Sequence, residues 1–241
     1  MLFNFWRRYR AGTPEYLARN YWWAYLSPPG VWFFDHDLII DAILFGQYRT
    51  ILDALMQRYV ALPASRTLQL TCAYGSITPT LALSPNTREL HVMDVANIQL
   101  LAAQTKLSAV SRTAAIVRMN AEALAYADKS FDCVVIFFLL HELPVAARER
   151  TLREVLRVMK SGAHLLVAEY AENHGQHVLQ RFTPWRWILE KLEPFLHDFW
   201  HSDLHARLFK LAEQQGIQLQ VNAEITLFSG FYRVVEYRVT P

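Results

Sequence analysis

Between Thr67 and Tyr170 the chain carries apolar runs that do not alternate with polar residues. Phe131-Asp-Cys-Val-Val-Ile-Phe-Phe138 is nearly continuous, Thr67–Ala73 is shorter, and His164–Tyr170 follows a Ser161-Gly162 turn. A strand wetted on one face alternates apolar and polar residues. An unbroken run belongs in a strand covered on both faces. Shorter strand patterns stand at Glu89–Asp94 and Ala115–Met119, with helical spacing at Thr78–Leu83, Ile98–Leu107 and Pro144–Met159. Strands alternating with helices predict a parallel sheet between two helical layers. The C-terminal part differs: Gln218–Phe228, a turn at Ser229-Gly230, and Tyr232–Val239 read as an antiparallel hairpin. The predicted fold class is α/β, a Rossmann-like, mostly parallel sheet with an antiparallel C-terminal hairpin.

Residues 1–60 read as a helical N-terminal extension, broken at Gly12-Thr13-Pro14 and Pro28-Pro29-Gly30, with a long helical period from Asp37 to Tyr59. The predicted organisation is this extension, covering the active site, followed by a Rossmann-like domain over 61–241. A chain of 241 residues that is 53% apolar can bury a large core. Its net charge of +2 is too small to argue for nucleic acid, and no nucleic-acid motif is visible. Cys72 and Cys133 fall in apolar segments and read as reduced core residues, which suits a cytoplasmic protein. No signal peptide and no membrane span are expected; the longest uncharged run, Asn20–Phe34, is interrupted by Pro28-Pro29-Gly30. Arg7, Arg8, Arg10 and Arg19 lie among Phe3, Phe5, Trp6, Tyr9, Tyr16, Tyr21, Trp22, Trp23 and Tyr25. That mixture suits a peripheral place on the inner membrane as well as packing on the domain itself. Oligomeric state is left open by the sequence.

The segment Thr67-Leu-Gln-Leu-Thr-Cys-Ala-Tyr-Gly-Ser-Ile-Thr78 sits where such a fold places a glycine loop against its cofactor. The three glycine positions read Thr71, Ala73 and Gly75, and the acid expected at the strand's end is Gln69. It resembles the S-adenosylmethionine loop of class I methyltransferases, modified at its defining positions. Asp94, 19 residues after Gly75, has the spacing of a ribose-binding acid and also of a cap on the helix from Ala96. Arg118-Met-Asn-Ala-Glu122 with Ser130-Phe131-Asp132 resembles the methyltransferase pattern in which an Asp stands at Asn120; the amide there could contact the adenine edge. The expected cofactor set is Gln69, Thr71, Ala73, Tyr74, Gly75, Asp94, Val95, Asn120, Ala121 and Phe137.

His141 and Glu142 follow the fourth strand, at the sheet edge where such folds bind ligands. A carboxylate beside an imidazole can hold a hard divalent ion, and the imidazole can instead move a proton. Such an ion could bind a substrate carbonyl and polarise it. Tyr21 and Tyr25 are four apart and share a helical face toward the same pocket. His197, His201 and His205 also follow a helical spacing, but without companion cysteines they read as a solvated face rather than a metal site.

Several strings together resemble one family: Tyr21-Trp-Trp-Ala-Tyr25, Cys72-Ala-Tyr-Gly75, Phe137-Phe-Leu-Leu-His-Glu142, Leu192-Glu-Pro-Phe195 with Phe199-Trp200, and Phe228-Ser-Gly-Phe-Tyr232. They are similar to the rhodoquinone biosynthesis protein RquA family, over roughly Tyr21 to Val239. The resemblance implies conversion of ubiquinone to rhodoquinone, with a ring methoxy group replaced by an amino group. It implies S-adenosylmethionine as amino donor and assistance from Mn2+; on the chemistry of the residues above, Glu142 and His141 are then the expected metal ligands and Tyr21, Tyr25, His141 and Glu142 the expected catalytic residues. The family also lacks the usual loop acid, as Gln69 does here; Asn120 departs from the family's Asp. A neutral Gln69 fits an amine that must keep its lone pair, because a nearby carboxylate would favour the ammonium form. The alternatives on the residues alone are a methyltransferase acting on a quinone or other aromatic, and a non-catalytic binder of cofactor or lipid.

Overall fold

The computed structural model describes residues 12–63, 65–172, 177–181, 187, 189 and 191–240. Seven strands form one sheet in the order β3-β2-β1-β4-β5-β7-β6. They are β1 Ser65–Leu70, β2 Thr87–Asp94, β3 Ala115–Arg118, β4 Phe131–Phe137, β5 Met159–Tyr170, β6 Leu219–Leu227 and β7 Tyr232–Val239. The first five pair in parallel, and β7 runs antiparallel to both β5 and β6. The predicted fold class is therefore the observed one. Its unbroken apolar strands are the buried ones: Cys133, Val134, Val135 and Ile136 of β4 and Leu165, Leu166 and Val167 of β5 are completely covered. The chain moves outward from β1 to β3, then returns to β4 on β1's other side. That reversal opens a crevice at the carboxyl ends of β1 and β4, where doubly wound sheets bind ligands.

Three boundaries differ from the sequence pattern. β1 stops at Leu70, because Thr71 turns into the left-handed region at φ 71°. The long helical period from Asp37 is two helices, Asp37–Ile43 and Tyr48–Val60, separated where Phe45 and Gly46 take φ values of 55° and 74°. β5 begins at Met159 and passes through Gly162 (φ 79°), so the expected turn is an irregular strand start paired with Phe131. Cys72 and Cys133 are free thiols in the core, as expected.

The described part of the N-terminal segment is helical: Glu15–Asn20, one turn of π-helix at Trp22–Leu26, then Pro28–Phe34. Ser27 Oγ accepts the Gly30 amide at 3.1 Å and Pro28 occupies the first turn, so the break at Pro28-Pro29-Gly30 starts a helix rather than a loop. Among the described residues, no helix is long and apolar enough to cross a membrane. Arg7, Arg8, Arg10 and the aromatics around them lie outside the described residues.

Helix Tyr48–Val60 packs on the sheet and reaches the loop after β1. The Tyr48 hydroxyl accepts the Ser76 amide at 2.5 Å. A Cβ at Gly75 (φ +75°) would stand 2.4 Å from that hydroxyl, whereas one at Gly46 (φ +74°) would meet nothing within 4 Å. Gly75→Ala should therefore destabilise the fold by about 2–4 kcal/mol, against about 1 kcal/mol for Gly46→Ala, where only conformational preference is lost. Urea unfolding of the two variants checks this; equal losses would show that the Tyr48 contact yields without cost.

Candidate active site

The loop Thr71–Ser76 keeps a glycine-loop path with one glycine, because side chains from elsewhere hold its backbone. Asp94, at the end of β2, accepts the Cys72 amide on Oδ2 at 2.9 Å and the Ala96 amide on Oδ1 at 2.8 Å. Asp35 accepts the Gly75 amide at 3.0 Å. Lys106 Nζ, from helix Asn97–Ala109, donates to Asp35 at 2.7 Å and to the Gly75 carbonyl at 3.0 Å. Beneath the loop, Gln69 is fully buried. Its Nε2 donates to the Thr71 carbonyl at 2.9 Å, and its Oε1 has no partner. An uncommitted, neutral, buried acceptor therefore stands where an acid was expected, and a donor such as an amine would satisfy it.

A cavity opens above this loop. Of the sequence-predicted residues, Tyr25, Thr71, Ala73, Tyr74, Asp94, Val95, Asn120, Ala121, Phe137, His141 and Glu142 line its wall. Gln69, Gly75 and Tyr21 are not on the wall; they support it from behind. The N-terminal segment contributes Tyr16, Leu17, Tyr25, Ile40, Ile43 and Leu44 to the lining. Asp94 faces the cavity, yet each of its oxygens already holds a backbone amide, so it clamps the loop to the turn before helix Asn97–Ala109; the helix cap that its spacing also suggested is absent, because that helix takes no side-chain cap bond. Burial raises its carboxyl to about 6. Asn120 lines the cavity, with its Oδ1 accepting the Glu122 amide at 3.0 Å and its Nδ2 donating to Glu122 Oε1 at 3.5 Å, both local bonds.

At the cavity's far side lies a group that the sequence showed only in part. His141 and Glu142 sit on a short 3-10 turn, Leu140–Glu142, directly after β4. Glu193 joins them from the segment beyond β5. Ligand atoms of His141, Glu142 and Glu193 all lie within 4.8 Å of one another, and this trio is the metal-type cluster among the described residues. The Tyr21 hydroxyl donates to Glu193 at 2.8 Å, and the Tyr25 hydroxyl donates to Glu142. Tyr25 also stacks on Tyr74 of the loop, ring centroids 5.3 Å apart. The two tyrosines thus fasten the N-terminal segment to the two carboxylates. Leu192-Glu-Pro-Phe195 had signalled Glu193 as part of a string, but nothing in its spacing assigned it a role.

Burial raises the Glu142 and Glu193 carboxyls, and each is raised further by the other acids around it. Burial would lower the His141 imidazole, but Glu169, bonded to Nδ1 at 2.7 Å, outweighs it and His141 rises to about 9. The donor set, one imidazole nitrogen and two carboxylates in a buried, net-negative site, fits a divalent cation. The histidine row does not converge: His201 Nδ1 contacts the His197 carbonyl, while His205 turns to Tyr237 and Glu224.

The profile described as the ubiE/COQ5 methyltransferase family matches residues 33–203. The chain belongs to that family. Ubiquinone/menaquinone biosynthesis C-methyltransferases UbiE of Shewanella sp. (strain W3-18-1) and Shewanella frigidimarina (strain NCIMB 400) are 30% and 29% identical to it over 149 residues, 61% of this chain. The chain spans 58% of the length of these curated relatives. Among solved structures, the PH0226 protein of Pyrococcus horikoshii OT3 superposes with TM-score 0.60 at 15% identity, covering 95% of this chain and 100% of its own. N-methyltransferase NodS of Bradyrhizobium japonicum WM9, in complex with S-adenosyl-L-homocysteine, superposes with TM-score 0.52 at 16% identity, covering 99% and 97%. These likenesses carry the fold, which is the class I methyltransferase fold. The family match is coarser than the resemblance drawn from the strings around Tyr21, His141 and Glu193, and does not itself show a rhodoquinone enzyme.

The raised His141 has a consequence for the metal-free protein. Its folded pKa of about 9 lies above the ordinary 6.5. The imidazolium therefore contributes stability that is fully present below about pH 6.5 and lost as pH rises through about 9, up to about 3 kcal/mol. Urea midpoints of the parent should fall over that interval, and His141→Gln should flatten the fall. Parallel curves for the two proteins would overturn this reading of the Glu169–His141 pair.

Proposed function

We propose that this chain is an S-adenosylmethionine-dependent transferase acting on a quinone ring, and that the group it delivers is the amino group. The first half is supported by membership of the ubiE/COQ5 methyltransferase family and by the named quinone-biosynthesis relatives. The second half rests on one observation: Gln69, buried beneath the loop rather than on the cavity wall, carries a neutral acceptor with no partner at the position where an acid is expected. S-adenosylmethionine on this loop would supply either a methyl group or an amine. A divalent ion on His141, Glu142 and Glu193 would polarise a quinone carbonyl. The chain's own part is to exclude water with Tyr25, Tyr74 and Phe137 and to orient a flat ring among those aromatics.

Methyl transfer is the second reading, and the names of the relatives favour it. The two reactions leave different masses on a short-chain ubiquinone incubated with S-adenosylmethionine and Mn2+. Methylation adds one carbon to the product. Exchange of methoxy for amino makes it lighter, and a cofactor carrying heavy nitrogen at its amine passes the label on. The expected result is the lighter, labelled product. A heavier, unlabelled one establishes methyl transfer, and an unchanged quinone leaves a binder. Gln69→Glu should bind the cofactor and lose most of the amination at neutral pH, because its charge stabilises the ammonium. Full activity in that variant would remove Gln69's neutrality from the argument.

A polyprenyl quinone resides in a bilayer, and Trp22, Trp23, Trp32 and Phe33 present exposed rings on the N-terminal segment beside the cavity. These rings support a peripheral place at a membrane surface. Trp32→Ala with Phe33→Ala should reduce cosedimentation with lipid vesicles; undiminished binding would assign those rings another role.

A further inference from the structure

Two buried groups of opposite charge hold the turn Leu140–Glu142, and neither lines the cavity itself. Arg148, from helix Val145–Val158, is completely covered and takes the carbonyl side. Its Nε donates to Leu140 O at 2.8 Å and its Nη2 to Leu143 O at 2.9 Å, with the guanidinium 4.9 Å from the centre of the Phe199 ring. Glu169, on β5, is also completely covered and takes the amide side. Its Oε2 accepts Leu140 N at 2.8 Å and His141 N at 3.4 Å; its Oε1 accepts Tyr170 N at 3.0 Å and contacts His141 Nδ1 at 2.7 Å.

The arrangement specifies both the residue and the ring's orientation. Each Glu169 oxygen faces at least one backbone N–H. A glutamine would set its NH2 group against a backbone donor whichever way the amide is flipped, so only a carboxylate satisfies all the donors. With an acceptor fixed at Nδ1, the Nδ1 position carries the proton. Tyr170 holds the imidazole edge-to-face at 4.8 Å, so the ring cannot turn over freely. Nε2 is then left on the other side, 4.0 Å from Glu193 Oε2. Metal-binding histidines are prepared in this manner, by a carboxylate on the nitrogen that does not bind.

We infer that Glu169 is a positioning residue: through Nδ1 it presents His141 Nε2 to a divalent cation shared with Glu142 and Glu193. This rests on the cation part of the proposed function, but not on which group is transferred. The test uses Mn2+ alone with the full chain, free of cofactor and quinone, reading bound metal by the loss of free-ion paramagnetic resonance signal. Glu169→Gln should weaken Mn2+ binding by about 10- to 100-fold. In a His141→Ala background the same change should have almost no further effect, because there is no imidazole left to orient. A merely structural role would lower binding in both backgrounds and would overturn the inference, as would unchanged affinity. If Glu169→Gln does not fold, Glu169→Asp keeps the charge, withdraws the oxygen from Nδ1, and should show the same dependence on His141.

A parent that binds no Mn2+ removes the cation reading and with it a cation for Nε2 to meet. The nitrogen resonances of labelled His141, read above about pH 9 where the ring is neutral and a single nitrogen carries the proton, then decide the remaining question of orientation. Loss of the Nδ1-protonated signature in the Glu169 variant would retain the positioning role, and an unaltered signature would end it.

Discussion

Thr71 carries a β-branched side chain in a left-handed backbone conformation, with φ at 71°. Such a conformation is kept only where surroundings over-determine it. Here the holders are Gln69 on the Thr71 carbonyl, Asp94 on the Cys72 amide, Asp35 with Lys106 on Gly75, and Tyr48 on the Ser76 amide. They come from both sides of the chain: β1 and β2, the helix after β2, and the N-terminal segment. The loop therefore joins the N-terminal segment to the sheet, and the cavity wall above it depends on that joint. A loop richer in glycine would need fewer of these bonds and would leave more of its amides open to a ligand.

The charges at the cavity's far side follow a related logic. Three carboxylates, Glu142, Glu169 and Glu193, surround one imidazole in a region largely withdrawn from water. Burial penalises every ionised form there, so the group lowers its energy by taking up protons or a cation. Glu169 is saturated by backbone amides and His141, whereas Glu142 and Glu193 each hold a tyrosine hydroxyl that can be rearranged. Positive charge is therefore drawn to the side of the cluster that faces the cavity, the side on which a substrate carbonyl would sit.

The family and the site answer different questions. Family membership accounts for the sheet order, the loop after β1 and the acid after β2, features that serve any chemistry built on this fold. The site carries features of its own: Gln69 beneath the loop, and a tyrosine-carboxylate-histidine cluster contributed by three separate segments. A fold can host several reactions, so the site rather than the fold bears on which group is transferred.

The sequence by itself determined the fold class. Continuous apolar runs admit only strands covered on both faces, and the local spacing of Asp94 from Gly75 located the loop and its acid. His141 and Glu142 were legible because they are adjacent and follow a strand. What only the tertiary structure decided are the partners separated by long stretches of chain. Glu193 meets Glu142 and His141 across the segment after β5, Glu169 reaches Leu140 from the neighbouring strand, and Asp35 grips Gly75 from the N-terminal helices. None of these has a periodicity, because their spacing is set by how elements stack and not by the repeat of any one element. The division of the long helical pattern at Phe45-Gly46 was hidden for a different reason. Apolar spacing continued through a point where two residues in the left-handed region turn the chain toward the cavity. Even Asp94, whose position was legible, had one of its bonds decided by the fold: the Ala96 amide is a local turn contact two residues on, but the Cys72 amide comes within reach only when β1 and β2 lie side by side.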